Sequence, residues 1–177
     1  MKRMTCGLIL LALLASCSSM SVQTDFAQGV DFSGFETFKY EDSDNTLAGS
    51  APLAHQRIVA AIRQEMNASG LTEVDENADV SVSYYGSTNE QLQFQTTYMA
   101  SGFGRRGWSG TGVSVGTSST RAVTIEQGTL MIDVWATEGD QLVWRGVVSD
   151  TLSGNPDRNA NKINQGIARA FENFPPE

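Results

Sequence analysis

The chain has 177 residues, and its 20 acidic and 12 basic side chains give a net charge of −8. This length suits one domain with a buried core. The acidity argues against nucleic acid as a partner, because the sequence offers no basic patch to displace phosphate counterions, and against adhesion to anionic lipid by charge alone.

The N-terminus has the pattern of a bacterial lipoprotein signal peptide. Lys2 and Arg3 precede an apolar run, and the lipobox Leu14-Ala15-Ser16-Cys17 follows it. The run is shorter than the roughly 20 apolar residues of a membrane-spanning helix, and small residues before a cysteine suit a signal peptidase. We therefore expect residues 1–16 to be removed and Cys17 to be lipidated. An ordinary secretory signal, in which Cys17 has no role, is the alternative.

Lipidation of Cys17 predicts how the protein is held and where it resides. Membrane association would come from the acyl chains. Ser18 follows Cys17, whereas in enteric-type bacteria an aspartate there retains lipoproteins in the inner membrane, so we expect the periplasmic side of the outer membrane. Cys6 leaves with the signal peptide, so the folded domain has no thiol for a disulfide or a metal. Residues 17–24 are expected to form a polar tether to a single domain over 25–177.

The first half of the domain predicts a strand, a loop and a helix. Aromatic and β-branched residues over 35–40 predict the strand, and the acidic, polar residues 41–50 predict the loop. The helix starts at Pro52, whose missing N–H is tolerated in a first turn, and stops at Gly70. Its apolar residues recur at helical spacing: Ala54, Ile58, Ala61, Ile62 and Met66.

The middle of the chain predicts extended structure and a long loop. Residues 79–98 alternate apolar and polar side chains with the apolar ones at even positions, which favours one long bent strand. A hairpin turning through 86–89 is the alternative. Residues 99–120 are rich in Gly and Ser without periodicity, which predicts a flexible loop.

The C-terminal part predicts a hairpin and a helix. Strands over 122–135 and 141–151 are joined by a turn at 137–140. Asn155 is a good N-cap, and Pro156 suits the first helical position. The helix carries an apolar stripe of Ala160, Ile163, Ile167, Ala170, Phe171 and Phe174. Together these elements predict an α+β fold, a two-layer sandwich in which two helices cover one face of a mostly antiparallel or mixed sheet of about four to five strands.

We expect no catalytic, cofactor or metal site. Residues 102–107 match a GxGxxG pattern, but no helix follows, as dinucleotide binding requires. His55 is the single histidine, it has no G-x-S-x-G nucleophile elbow to serve, and we expect it to be a solvent-facing helix residue. One histidine without a free cysteine does not make the usual zinc site, and the carboxylates do not follow the spacing of a calcium loop.

Two regions are candidates for contact with a partner. By strand parity Trp135 lies on the face of the sheet that the helices leave open, where an exposed aromatic ring marks a ligand or partner surface; packing in the core or at an edge is the alternative. Arg105, Arg106 and Trp108 form a basic, aromatic spot in the long loop, suited to lipid headgroups, glycan or a partner protein. A loop without function is the alternative there.

The hairpin carries a resemblance to a known family. The segments Gly128-Thr129-Leu130-Met131-Ile132-Asp133 and Gln141-Leu142-Val143-Trp144-Arg145-Gly146, with Asp31-Phe32-Ser33-Gly34-Phe35 before the first strand and Asp79 after the first helix, resemble a family of bacterial periplasmic lipoproteins whose domain has no known function. The likeness covers about residues 22–174. The family tends to have an acidic residue where this chain has Trp135-Ala136. The resemblance implies an exported, membrane-anchored α+β domain and transfers no site residues.

These observations predict a non-enzymatic outer-membrane lipoprotein, an accessory or envelope-assembly module that binds an envelope protein, lipid or glycan. A module that binds an amphiphile or glycan on the open sheet face around Trp135 is the alternative. A third hypothesis is a hydrolase that acts on envelope material through paired carboxylates.

Overall fold

The computed structural model describes residues 20–43, 46–100 and 116–176. In these ranges the chain forms six strands and three α-helices, in the order β1 (Ser21–Phe26), β2 (Thr37–Tyr40), α1 (Thr46–Ser50), α2 (Pro52–Ala68), β3 (Thr72–Glu73), β4 (Val80–Ala100), β5 (Gly116–Ala136), β6 (Gln141–Thr151) and α3 (Pro156–Phe171). Among these helices there is none with the length and apolar character needed to cross a membrane.

The strands form one open mixed sheet in the order β1-β6-β5-β4-β2-β3. The pairs β1–β6, β6–β5 and β5–β4 are antiparallel, whereas β2 runs parallel to both β4 and β3. The predicted α+β class is therefore confirmed. The expected count of four to five strands and two helices was too low, because two edge strands and one short helix carry no clear sequence pattern.

The core lies between one face of the sheet and the two long helices. Alternating residues of β4 and β5 point into it, including Val80, Val82, Tyr84, Ile132 and Val134, which are at most 1% exposed. Helix α2 contributes Ile58, Ile62 and Met66, and α3 contributes Ile167, Ala170 and Phe171. The parity in the sequence thus correctly predicted the buried face of the central strands over 80–84 and 130–134. It was wrong for Leu92, Phe94 and Tyr98, which share that parity but are exposed.

Strand β1 corrects the expected tether. Residues 21–24 were predicted to belong to a polar linker, but they pair with β6 from Ser21 opposite Ser149 to Phe26 opposite Trp144. Val22, Thr24 and Phe26 alternate with polar residues, but five of the six residues of β1 are exposed, so this short alternation does not mark a clear apolar face. Backbone hydrogen bonds to a neighbouring strand hold it, and such pairing is not visible in local sequence.

The predicted loop at 41–50 is also corrected at its end, because residues 46–50 form the short helix α1. Leu47 of α1 packs over Gly86 of β4, where a Cβ atom would collide with the Leu47 side chain. A tertiary contact, and not intrinsic propensity, therefore accounts for this five-residue helix.

Strand β4 settles the alternative at 79–98. It is one continuous strand over Val80–Ala100, paired residue by residue with Gly116–Ala136 of β5. The predicted loop at 99–120 is therefore wrong at both ends, since residues 99–100 and 116–120 are paired strand. The Gly/Ser-rich start of β5 has low strand propensity, and pairing with β4 overrides it. Residues 101–115 lie outside the described part of the chain.

Helix α3 starts and packs as the sequence predicts. The Asn155 side chain accepts a hydrogen bond from the backbone N–H of Asp157 at 2.9 Å, so it caps the helix. Gly166 faces the sheet, and a Cβ atom there would lie 2.6 Å from Cγ1 of Val148. The missing side chain therefore lets α3 approach β6 closely.

Candidate functional site

Beyond the sheet, β4 and β5 continue as a two-stranded ribbon. β6 pairs with β5 only as far as Gln127, and β2 pairs with β4 only as far as Val82. β4 and β5 themselves stay paired out to Ala100 and Gly116. At roughly 3.4 Å per residue, the ribbon over 89–100 and 116–127 reaches about 35–40 Å past the sheet.

One face of this ribbon carries a row of exposed apolar side chains. Leu92, Phe94 and Tyr98 are 68%, 73% and 80% exposed. Their even positions place them on the face that forms the protein core at the start of β4, whereas Gln91, Gln93 and Gln95 occupy the other face. Thr96 interrupts the row between Phe94 and Tyr98. Clustered exposed apolar side chains mark an interaction surface more often than isolated ones do.

The base of the same face is acidic. Glu90 and Glu126 are directly opposite each other in the β4–β5 register, next to the row that starts at Leu92. Both residues are exposed. Like charges directly opposite on a sheet repel each other, so a cationic group from a partner would relieve this repulsion.

A half-open cavity of about 280 Å³ lies between the helices and the sheet, at the end of the sheet where the ribbon begins. Its walls are mainly apolar, and its floor includes Thr88 of β4 and Gly128 of β5. The apolar residues that line it come from the three helices, from β5 and from the segment after β6: Leu47, Ala54, Ile58, Leu130, Leu152 and Ile163. Met20, which precedes β1, also lines it.

One wall of the cavity is polar. The Lys162 ammonium lies 3.0 Å from Oδ2 of Asp150 and donates a hydrogen bond to the Thr151 carbonyl oxygen at 2.5 Å. The ion pair is mostly shielded, with 32% of the Lys162 side chain and 11% of the Asp150 side chain exposed. The cavity therefore combines an apolar interior with one charge-balanced donor and acceptor pair.

Trp135 lies where strand parity predicts. It is half-buried on the sheet face away from α2 and α3, between Ser81 of β4 and Leu142 of β6. On the same face Arg145 donates two hydrogen bonds to the carboxylate of Asp133, at 2.6 and 2.7 Å, and this bonding raises the Arg145 pKa. Trp135 is not among the residues that line the cavity.

His55 has a structural partner. Its Nδ1 atom lies 2.8 Å from the hydroxyl oxygen of Tyr84, which is 1% exposed. The expectation that His55 faces solvent is therefore wrong, since the ring is half-buried and satisfies a buried phenol. Within the ranges that the structure covers, His, Cys, Asp and Glu side chains form no cluster of three or more that could hold a metal ion.

The two carboxyl groups with shifted pKa values are both stabilised as anions. Hydrogen bonds from the Thr37 hydroxyl and from the backbone N–H groups of Glu36 and Thr37 lower the pKa of Asp79. Hydrogen bonds from the side chain and backbone of Ser33 lower the pKa of Asp31. A general acid needs a raised pKa, which is the opposite shift. The hydrogen bonds that these two carboxylates accept fix the backbone where β4 and the turn Phe32–Gly34 begin.

The remaining predicted site residues, Cys17, Arg105, Arg106 and Trp108, lie outside the described residues. The ribbon and the cavity were not predicted as sites. The alternation of Leu92 and Phe94 with glutamines was the available sign of a strand here. Alternation alone does not show that the strand extends past the rest of the sheet, with both faces free of other described elements. The cavity forms where distant segments meet, so it has no local sign.

The comparisons with known proteins concern family and fold. A family model described as "Domain of unknown function (DUF4136)" matches residues 22–176. Among curated proteins none matches this sequence.

Among solved structures, a PDZ domain protein from Parabacteroides distasonis ATCC 8503 is similar with a TM-score of 0.56 and 14% identity, over 90% of this chain and 37% of that one. The chain thus spans little more than a third of that protein, and the likeness shows the fold alone. Two crystal forms of a PelC dodecamer from Paraburkholderia phytofirmans match at TM-scores of 0.47 and 0.46, each with 12% identity over 86% of this chain and 96% of theirs.

Proposed function

Since the chain belongs to the DUF4136 family, a domain of unknown function, we propose that it is an outer-membrane lipoprotein facing the periplasm, where it acts as a non-enzymatic module that binds an envelope protein. The lipobox that ends at Cys17 supports the membrane anchor. The exposed row Leu92, Phe94 and Tyr98 on the ribbon is the observation that carries the binding role.

The ribbon suits a protein partner with an apolar surface and a basic group beside it. Phe94 and Tyr98 are exposed aromatic side chains, a type enriched in the buried centres of interfaces. The facing carboxylates of Glu90 and Glu126 at the base of the row match a lysine or arginine of the partner. The same carboxylates disfavour contact of this face with an anionic lipid surface.

Site-specific photocrosslinking in cells tests the proposal. A photoreactive residue at position 94 should trap one defined protein at native expression, because this side chain projects from the apolar face. The matched control is position 93, the neighbouring residue on the opposite face of the same strand, which should give background only. Equal products from both positions, or adducts of lipid alone from position 94, would contradict a protein-binding ribbon.

The cavity supports a second candidate function, the binding of an amphiphile. Its apolar walls and small set of convergent polar groups are typical of ligand sites. The sequence suggested an amphiphile site on the open sheet face around Trp135. The cavity lies instead on the other face of the sheet, under α2 and α3.

A further inference from the structure

We propose that the cavity between α2, α3 and the sheet shelters one acyl chain of the lipid on Cys17. This inference rests on the proposed lipidation, and it assigns a second place to the anchor besides the bilayer. Three observations support it: the lining of the cavity, the charge balance of its polar wall and the position of Met20.

The lining suits one narrow alkyl chain. The cavity of about 280 Å³ lies at the small end of ligand sites, and Leu47, Ile58, Leu130 and Ile163 make its walls apolar. Methylene groups leave water favourably on entering such a space. The volume is too small for a bulky multi-chain lipid to be enclosed as a whole.

The polar wall favours a neutral group over an anionic one. The charge of Lys162 is already balanced by Asp150 at 3.0 Å. The carboxylate of a free fatty acid would therefore be repelled by Asp150, and this ion pair has no second positive charge to neutralise it. The amide or ester that links an acyl chain to a lipoprotein is neutral, and it can accept from an ammonium group without displacing the carboxylate.

The position of Met20 selects the source of the chain. Met20 lines the cavity, and Cys17 precedes it by three residues, so at most about 11 Å of backbone separates the two. A lipid attached to Cys17 is therefore present at the cavity mouth at a high effective concentration. A free amphiphile has no such advantage.

Intramolecular photolabelling tests this assignment in the full chain. Cells would be fed a fatty acid that carries a diazirine, which the lipidation pathway incorporates into Cys17, and then irradiated. Peptide mass spectrometry should find the label on segments that line the cavity, around Ile58 of α2 and Ile163 of α3. The substitution Ala54→Phe fills the cavity and should lower this labelling about tenfold.

The control Ala60→Phe adds the same side chain to the exposed side of α2 and should leave labelling unchanged. Ile163→Phe, on the facing helix, provides a second filled cavity if Ala54→Phe fails to melt cooperatively. Cys17→Ser should abolish the label at the cavity.

The outcomes separate the two proposals. Label in the cavity of Cys17→Ser would show that a free amphiphile is the occupant, and label elsewhere only would show that the cavity is empty of acyl chains. Either result overturns this inference and leaves the lipoprotein proposal standing. Absence of any acyl mass on Cys17 in the wild-type protein would instead overturn the lipoprotein proposal itself, and this inference with it.

Discussion

Thr37 and Asp79 are joined by three hydrogen bonds where β2 and β4 begin. The Thr37 hydroxyl donates to Oδ2 of Asp79 at 2.7 Å and accepts from the backbone N–H of Asp79 at 3.0 Å. The same carboxylate oxygen also accepts from the backbone N–H of Thr37 at 2.8 Å. Residues 42 positions apart in the sequence are thus joined at the parallel edge of the sheet.

The first prediction concerns this junction. Asp79→Asn removes the charge that strengthens these hydrogen bonds, so we expect the free energy of unfolding to fall by about 1–3 kcal/mol in urea denaturation at pH 7. Asp75→Asn, at an exposed carboxylate in the same connection, should change it by less than about 0.5 kcal/mol. Equal effects of the two substitutions would mean that general surface charge, and not the junction, is responsible.

The second prediction is that the stability difference between the wild-type protein and Asp79→Asn depends on pH. The pKa of Asp79 is lower in the folded protein than its ordinary value, so the ionised carboxylate favours the folded state. This contribution is complete above the unfolded pKa of about 3.9 and is lost as pH falls through the lower folded pKa. The stability difference between wild type and Asp79→Asn should therefore shrink as pH falls below about 4. A difference that stays constant to lower pH would contradict the assigned cause.

The third prediction concerns the contact between α3 and β6. Gly166→Ala places a Cβ atom about 2.6 Å from Cγ1 of Val148, and the β-branched Val148 side chain has little freedom to move away. We expect a net loss of about 1–3 kcal/mol, even though alanine is the better helix former. In a double-mutant cycle, Val148→Ala should recover part of this loss. Independent effects of the two substitutions would place the strain elsewhere.

The fourth prediction separates binding from stability on the ribbon. Phe94→Ser should leave the unfolding free energy within about 0.5 kcal/mol of wild type, because the side chain is 73% exposed. When a photoreactive residue replaces Leu92, on the same face of the ribbon, Phe94→Ser should abolish its crosslink to the partner protein. Ile132→Ala, in the core, should lower stability by about 2–5 kcal/mol. A large loss of stability for Phe94→Ser would indicate that the row is buried in the protein as it exists in cells.

The fifth prediction concerns the anchor. Cys17→Ser removes the thiol that accepts the lipid, so the protein should accumulate unprocessed or leave the outer-membrane fraction on density-gradient separation. Ser18→Ala, at the next residue, keeps the thiol and should fractionate as wild type. Normal processing and fractionation of Cys17→Ser would contradict lipidation.

The elements with their own periodicity could be predicted from the sequence. Helices α2 and α3 bury apolar residues at helical spacing, and the even positions face the core in the parts of β4 and β5 that lie within the sheet, such as Val82 and Ile132. The elements that could not be predicted depend on distant partners. Strand β1 is exposed at five of its six residues and exists mainly through its hydrogen bonds to β6. Helix α1 depends on the fit of Leu47 over Gly86.

The candidate site follows the same division. The position of Trp135 on the open face could be deduced because parity acts within one strand. The length of the ribbon could not, because the Gly/Ser-rich start of β5 has no strand signal of its own. The cavity needs Met20, Ile58 and Ile163 from three separate parts of the chain, so only the packed structure shows it.

The pairing of β1 limits how the domain would be oriented if Cys17 carries the proposed lipid. Ser21 is opposite Ser149, Ser149 is opposite Thr129, and Thr129 is opposite Ser87, so β1 begins level with the base of the ribbon. Cys17 precedes Ser21 by four residues, a leash of at most about 14 Å, whereas the ribbon is about 35–40 Å long. If Cys17 is lipidated as proposed, the ribbon cannot point straight away from the bilayer. The part of β4 from Val80 to Ser87, about 27 Å long, would then lie between the ribbon base and the lipid, which is farther than the roughly 14 Å of chain can reach. The partners that the ribbon can meet are then those close to the membrane surface.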